Sequence, residues 1–338
     1  MNKRIQRPDR RMPLPQFLPE NDRESIDQLV DIMRARVDAY VAEGSNHQRE
    51  SLDQETTQVS IESEDDYTAT AVSSRKKHIP AVAHQAMDML TYKPRLNEDV
   101  VRAGQRWYVV ADGLTNYEGN VCALMGESFA LAFEWMIHRM EQMEPKPNLQ
   151  TVTTAFHAAL DRARLILRRA MAHQAAKLNK YTDGDFSTTV EAVYYAPWLK
   201  KAVVLHIGDS RSYVTRVNGK SEQLTTDHTA LTRNGERTYM SSVLNTDPRN
   251  SSRIDVVDLD MQPGDSITSL CDGAFAYEEV TRARAGEPKS TVDTLSENHP
   301  TGPDNVLAYT NTLVSNGRSF QDTLSAWDDT SAGALLVK

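Results

Sequence analysis

VVLHIGDSRSYVTRVNGKSEQLTTDH, residues 203–228, decides how this chain folds. It holds two short β-type runs, the end of KAVVLHIG (201–208) and RSYVTRV (211–217), on either side of a Gly-Asp-Ser turn. Asn218–Gly219 is a strong two-residue hairpin signal before a further strand ending at Leu224. His206 alternates with its neighbours within a strand, which suits packing or hydrogen bonding better than catalysis. Upstream, TTVEAVYYA (188–196) and RWYVVADG (106–113) read as buried strands, the second with its Asp at the exit. Downstream come SRIDVVDLD (252–260), DSITSLC (265–271) and SAGALLV (331–337). Between the strands lie two helical stretches, 126–143 and 151–179, separated by Pro145 and Pro147 and expected to pack as an antiparallel hairpin. There is no βαβ repeat and no glycine-rich nucleotide loop, so an antiparallel α+β sandwich is expected rather than a doubly wound parallel sheet.

The 338 residues suffice for a large core, and 39% hydrophobic with 25% charged residues is a globular composition. Lys plus Arg numbers 38 against 47 Asp plus Glu, a net charge of −9, which argues against a general nucleic-acid-binding surface. No apolar run approaches the roughly 20 residues of a membrane span, and MNKRIQRPDRR has no signal-peptide core, so the expectation is a cytoplasmic protein with no membrane partner. Cys122 and Cys271 are too few for a disulfide framework, and their spacing is not that of a structural zinc site.

Residues 1–20 are basic and proline-rich and read as a disordered tail. Residues 21–66 read as a helix over 25–43, with a Ser25/Gln28 capping box, followed by an acidic linker over 44–66. The helix carries Ile26, Leu29, Val30, Met33, Val37, Tyr40 and Val41 on one stripe, which needs the main domain, another subunit or a regulatory partner to cover it. The main domain is expected over 67–338.

Four acidic motifs stand at strand edges. They are Glu98–Asp99 before a strand, Asp112–Gly113 after one, Asp272–Gly273 after ITSLC, and Asp328–Asp329 before the terminal strand. An isolated buried carboxylate is costly, and a hard divalent cation is an economical partner for several of them. Mg²⁺ and Mn²⁺ prefer such oxygen donors, and two ions sharing Asp112 could activate a water if the strands bring the motifs together. Sequence spacing leaves open whether they converge. Cys271 follows buried-strand residues in an anionic neighbourhood, the setting of a core residue and not of a nucleophile.

With NED (97–99), VVADG (109–113), LCDG (270–273) and DDTS (328–331), the 203–228 block resembles the metal-dependent Ser/Thr protein phosphatases, the PPM or PP2C-like family, from about Tyr67 to Lys338. The resemblance implies a four-layer αββα sandwich of two antiparallel sheets flanked by helices, with a metal centre at one edge. It implies hydrolysis of phosphoserine or phosphothreonine in phosphoprotein substrates by two Mn²⁺ or Mg²⁺ ions. By motif, Asp112 would bridge the ions, Asp272 and Asp328 would complete one, and Glu98 with the Gly113 carbonyl would serve the other. Asp99 would hold the water. A third, weaker ion would fall to Asp209 with Asp185 or Asp183. Asp227 and His228 would tie a loop through hydrogen bonds.

The terminal ligand has two candidates. Asp328 begins Asp-Asp-Thr-Ser and runs into an apolar strand, whereas Asp304 lacks the following hydroxyl and suits a cap or loop before a helix. The family's phosphate-holding arginine position is Pro94 here, with Arg95 one residue later and Lys93 another possible donor. A one-residue shift turns a strand side chain to the other face, so Arg95 needs a bulge to serve. The loop after Gly113 lacks the usual second glycine pair, and Ser187 replaces a glycine before Thr188–Thr189. His84 falls in a stretch without a counterpart in the family pattern. These departures motivate a second expectation, a catalytically weak relative serving as a binding or regulatory module. A nuclease is disfavoured by the net charge and by the 203–228 block.

Overall fold

Alternation along the strands sorts side chains to two faces, and in this protein both faces of the central strands are buried. The computed structural model describes residues 22–46, 56–62, 67–74, 99–104, 106–114, 121–179, 186–231, 237–247, 253–286, 290–300, 306–324 and 330–338. Its elements in chain order begin with α1 (Asp22–Asn46), β1 (Thr56–Glu62), β2 (Tyr67–Ser74), β3 (Val100–Gly104) and β4 (Trp107–Ala111). The helices α2 (Cys122–Glu141), α3 (Leu149–Met171) and α4 (Ala175–Leu178) follow. Next come β5 (Val190–Ala196), β6 (Lys201–Ile207), β7 (Arg211–Thr215), β8 (Ser221–Gln223), β9 (Thr229–Leu231), β10 (Arg237–Met240), β11 (Asp255–Asp260) and β12 (Ser266–Leu270). The chain closes with α5 (Asp272–Ala285), α6 (Thr291–Glu297), α7 (Val306–Leu324) and β13 (Thr330–Val337).

One sheet runs β1-β2-β13-β12-β7-β8 and the other β11-β6-β5-β4-β3, every neighbouring pair antiparallel. A small β9–β10 pair, which the sequence reading did not assign, stands apart from both. On β4, Tyr108 and Val110 face the opposite sheet while Trp107, Val109 and Ala111 face α2 and α3. On β13, Leu335 and Val337 enter the core between the sheets, and Ala332, Ala334 and Leu336 pack with α5 and α7. The layers are therefore helix, sheet, sheet, helix, the αββα sandwich expected from the sequence. Tyr108 lies across Gly333 of the facing sheet so closely that a Cβ there would stand 2.4 Å from its ring, a position only glycine permits.

The paired helices form as expected, with limits of their own. Asn148 caps α3 by accepting from the Thr151 N–H at 2.9 Å, and Phe133 meets Phe156 edge-on at 5.0 Å across the α2–α3 interface. The second helix stops at Met171 and not near 179, because a tighter turn over Ala172–Gln174 precedes α4. That turn brings His173 and Gln174 to Asp38 of α1, at 2.7 and 2.6 Å. Among the described residues no helix is long and apolar enough to cross a membrane.

The N-terminal region differs from its sequence reading at the start of the helix and in the linker, and the partner of the helix stripe is settled. The helix begins at Asp22, so Ser25 lies inside it and does not cap it. Its stripe is covered by the chain itself: Val30, Met33 and Val37 are buried in the same cluster as α2 and α3, which leaves that face unavailable to a regulatory partner. Part of the expected linker, Thr56–Glu62, is the edge strand β1, paired from Thr56↔Ser74 to Glu62↔Thr68. TTQVSIE has only Val59 and Ile61 as apolar residues, which is why composition pointed to a linker. The tail at 1–20 lies outside the described residues.

Burying a side chain of this size contributes about 1.5–3 kcal/mol, and leaving a cavity in its place adds to the loss. Met33→Ala should therefore destabilise the protein by roughly 2–5 kcal/mol in urea denaturation. A variant that unfolds at the wild-type urea midpoint would place α1 outside the core.

Candidate metal centre

Strand register brings the acids to one edge of the sandwich. Val100 pairs with Ala111, so Asp99, the residue before β3, comes beside Asp112, the residue after β4. Leu270 at the end of β12 pairs with both Ala332 and Arg211, so Cys271 and Asp272 emerge where β13 begins and where the turn from β6 enters β7. That turn, Gly208–Asp209–Ser210, carries the chain from one sheet to the other. Ser331 seals the join: its N–H donates to Cys271 Sγ at 3.0 Å and its carbonyl accepts the Cys271 N–H at 3.1 Å.

Electrostatics report the same convergence. Burial pushes the Cys271 thiol well above its ordinary range, and the charges of Asp99, Asp112 and Asp272 push it further, so this cysteine stays a neutral core residue. Burial likewise raises the Asp272 carboxyl, while hydrogen bonds with the Asp112 side chain and the Gly273 backbone partly offset it. Asp209 is raised to about 6, by burial first and then by Asp272 and Asp227, and its Oδ1 is buried without a hydrogen-bond partner.

These residues fit a hard divalent cation. Asp112 and Asp272, both half-buried, lie within hydrogen-bonding reach of each other, a closeness that a shared proton or a shared cation stabilises. The donors at the edge are oxygens, the chemistry preferred by Mg²⁺ and Mn²⁺. Among the described residues no three acidic, histidine or cysteine side chains by themselves form a finished ligand group. Glu98, Asp328 and Asp304 lie outside the described residues, as do Asp183, Asp185, Arg95, Lys93 and His84. Gly113 is described and bridges Thr188 in an isolated antiparallel pair.

Two polar clusters support the edge. Arg211 holds Asp227 through two parallel hydrogen bonds of 2.9 and 3.0 Å, donates to Glu279 of α5 at 3.0 Å and lies over the Phe275 ring. It thereby ties the helix that Asp272 begins to the GDSR turn. His228 accepts the Gly208 N–H on Nδ1 at 3.3 Å, so its proton sits on Nε2 and is donated to Asp255 at 3.2 Å. The second cluster lies between the sheets; His206 has the hydrogen-bonding role expected from the sequence, whereas its partner Glu191 was not singled out. Glu191, fully buried, contacts His206 Nδ1 and accepts from Ser212 Oγ; Ser212 meets Ser269 at 2.6 Å, and Ser269 meets the Tyr108 hydroxyl at 2.8 Å. Burial opposes a proton on His206, but Glu191 outweighs it and raises the imidazole. The available signal was a lone acid inside VEAVYYA, opposite the only histidine of the neighbouring apolar run.

The fold and the site together define an αββα sandwich with carboxylates gathered at one edge. The family model described as Protein phosphatase 2C matches residues 95–304, well over half of the sequence, and the chain belongs to that family. No curated protein sequence matches it significantly. Among solved structures it is similar to PppA, a key regulatory component of T6SS in Pseudomonas aeruginosa, at 17% identity and a TM-score of 0.53, covering 83% of this chain and 100% of that one. It is also similar to the serine-threonine phosphatase 2C from Toxoplasma gondii, at 14% identity and a TM-score of 0.51, covering 84% of this chain and 99% of that one. At these identities the likeness is one of fold.

Removing Glu191 leaves His206 and Ser212 facing an empty buried position. Glu191→Ala should cost about 3–5 kcal/mol by chemical denaturation. A loss below about 1 kcal/mol, the scale of one ordinary hydrogen bond, would show that the cluster does not hold the sheets together.

Proposed function

We propose that this chain is a protein serine/threonine phosphatase that hydrolyses phosphoserine or phosphothreonine in protein substrates with Mn²⁺ or Mg²⁺. The observation that carries the reading is the meeting of Asp112, Asp272, Asp99 and Asp209 at one sandwich edge in a chain of the protein phosphatase 2C family. When bound, the cations would neutralise the phosphate charge and lower the pKa of an attacking water.

In this reading Asp112 would serve both ions, Asp272 and Asp328 would help hold one, and Glu98 with the Gly113 carbonyl would help hold the other. Asp99, buried beside Asp112, would orient an attacking water. Arg95 places the substrate phosphate. Asp209, with Asp183 or Asp185, serves a third and weaker ion. The neutral, buried Cys271 takes no covalent part, and direct attack of water at phosphorus would need no phospho-enzyme.

Phosphate release from a phosphothreonine peptide at several Mn²⁺ concentrations tests the reading. The wild type should turn over only with metal and lose activity in chelator. Asp112→Asn should lower the rate by orders of magnitude while keeping the wild-type circular dichroism spectrum, because one charge between two cations is removed. Zero turnover at saturating metal would instead identify a binding or regulatory module on the same fold.

A further inference from the structure

Thr189 stands where three strand ends meet, and no part of its side chain reaches solvent. It directly precedes β5, and its backbone N–H donates to the Asp112 carbonyl at 2.8 Å. Its Oγ1 accepts the Asp112 N–H at 3.0 Å and meets Ser210 Oγ at 2.8 Å. Thr188 Oγ1 donates to the same Asp112 carbonyl at 2.9 Å. The Asp112 residue is thus held at both backbone groups by one dipeptide, and through Ser210 the same hydroxyl reaches the residue next to Asp209.

The methyl group has its own seat. Gly208 has a φ of +112°, and a Cβ built there would lie 2.7 Å from Cβ and Cγ2 of Thr189. The space that a side chain at 208 would need is filled by Thr189. A β-branched side chain has few open rotamers, and this contact selects one in which the hydroxyl faces Asp112 and Ser210.

We infer that Thr189 is a positioning residue: its hydroxyl sets the Asp112 carboxylate relative to the Asp209 turn and thereby the affinity of this edge for divalent cations. The inference rests on the metal reading above. Its physical basis is that neighbouring like charges repel, and groups that orient the ligand-bearing backbone set how well a cation between them is held. The Asp209 carboxyl is held by a hydrogen bond from its own backbone, while its Oδ1 has none, so its place follows the turn, and Thr189 holds that turn through Ser210.

Calorimetric titration of Mn²⁺ into the full chain separates the possibilities without recourse to turnover. Thr189→Val keeps the branched shape and removes the hydroxyl, whereas Thr189→Ser keeps the hydroxyl and removes the methyl. Thr189→Val should bind Mn²⁺ about tenfold or more weakly, and Thr189→Ser should stay within about threefold of wild type. A folded Thr189→Val with the wild-type isotherm overturns the inference, and so does a Thr189→Ser as weak as the valine variant. If Thr189→Val does not fold, Ser210→Ala takes its place, because it removes only the link between the two turns. Severalfold weaker binding by Ser210→Ala supports the inference, and a wild-type isotherm overturns it. A wild-type protein that binds no Mn²⁺ removes the metal reading and this inference together, an outcome visible before any variant is compared.

Discussion

Asp112 and Asp272 leave strands of opposite sheets and come within hydrogen-bonding reach of each other, although burial resists charge on Asp272. That contact exists only if the two sheets are held in one relative placement, and side chains between them supply the hold. Tyr108 reaches across to Ser269 and lies over Gly333, while Glu191 reaches Ser212. The apolar core between the sheets supplies most of the stabilisation, but it is not directional. Hydrogen bonds are directional, and one unmet partner in this core carries a desolvation penalty of about 1–3 kcal/mol. The polar ties therefore fix where the acids meet.

The sandwich was legible in the sequence because its signals are local. Period-two runs, the Asn218–Gly219 turn and the proline-separated helices each give their element without reference to the rest. The acidic motifs were legible as types at strand ends, and the register of β3 on β4 and of β12 on β13 and β7 brings Asp99, Asp112, Asp272 and Asp209 to one edge. What spacing could not give is that meeting, because strands far apart in sequence pair only in the folded chain. Edge strand β1 was missed for a different reason: an edge strand can be half polar and still pair through its backbone. The destination of the α1 stripe was open among three partners, and packing on α2 and α3 settles it. The Ser290/Asp293 capping box of α6 was readable but not singled out, as was the Glu191–His206 pair.

Membership of the protein phosphatase 2C family and the chemistry of the edge point the same way from independent starting points. One comes from the pattern of residues 95–304, the other from neighbouring carboxylates whose mutual repulsion a shared cation would relieve. In the proposed reading, the departures at Arg95 and in the loop after Gly113 would bear on how a phosphate is received and not on how a cation is held. A protein of this kind can keep its metal chemistry while differing in the substrate it accepts, since specificity resides in loops on a rigid scaffold.

The central claim is that this edge is a divalent-cation site built on Asp112 and Asp272. Crystals of the full chain grown with Mn²⁺ and measured at the manganese absorption edge test it directly. The account expects two anomalous peaks, both in contact with the Asp112 carboxylate and one also with Asp272. Well-ordered crystals with manganese elsewhere, and none within reach of these two side chains, would contradict it.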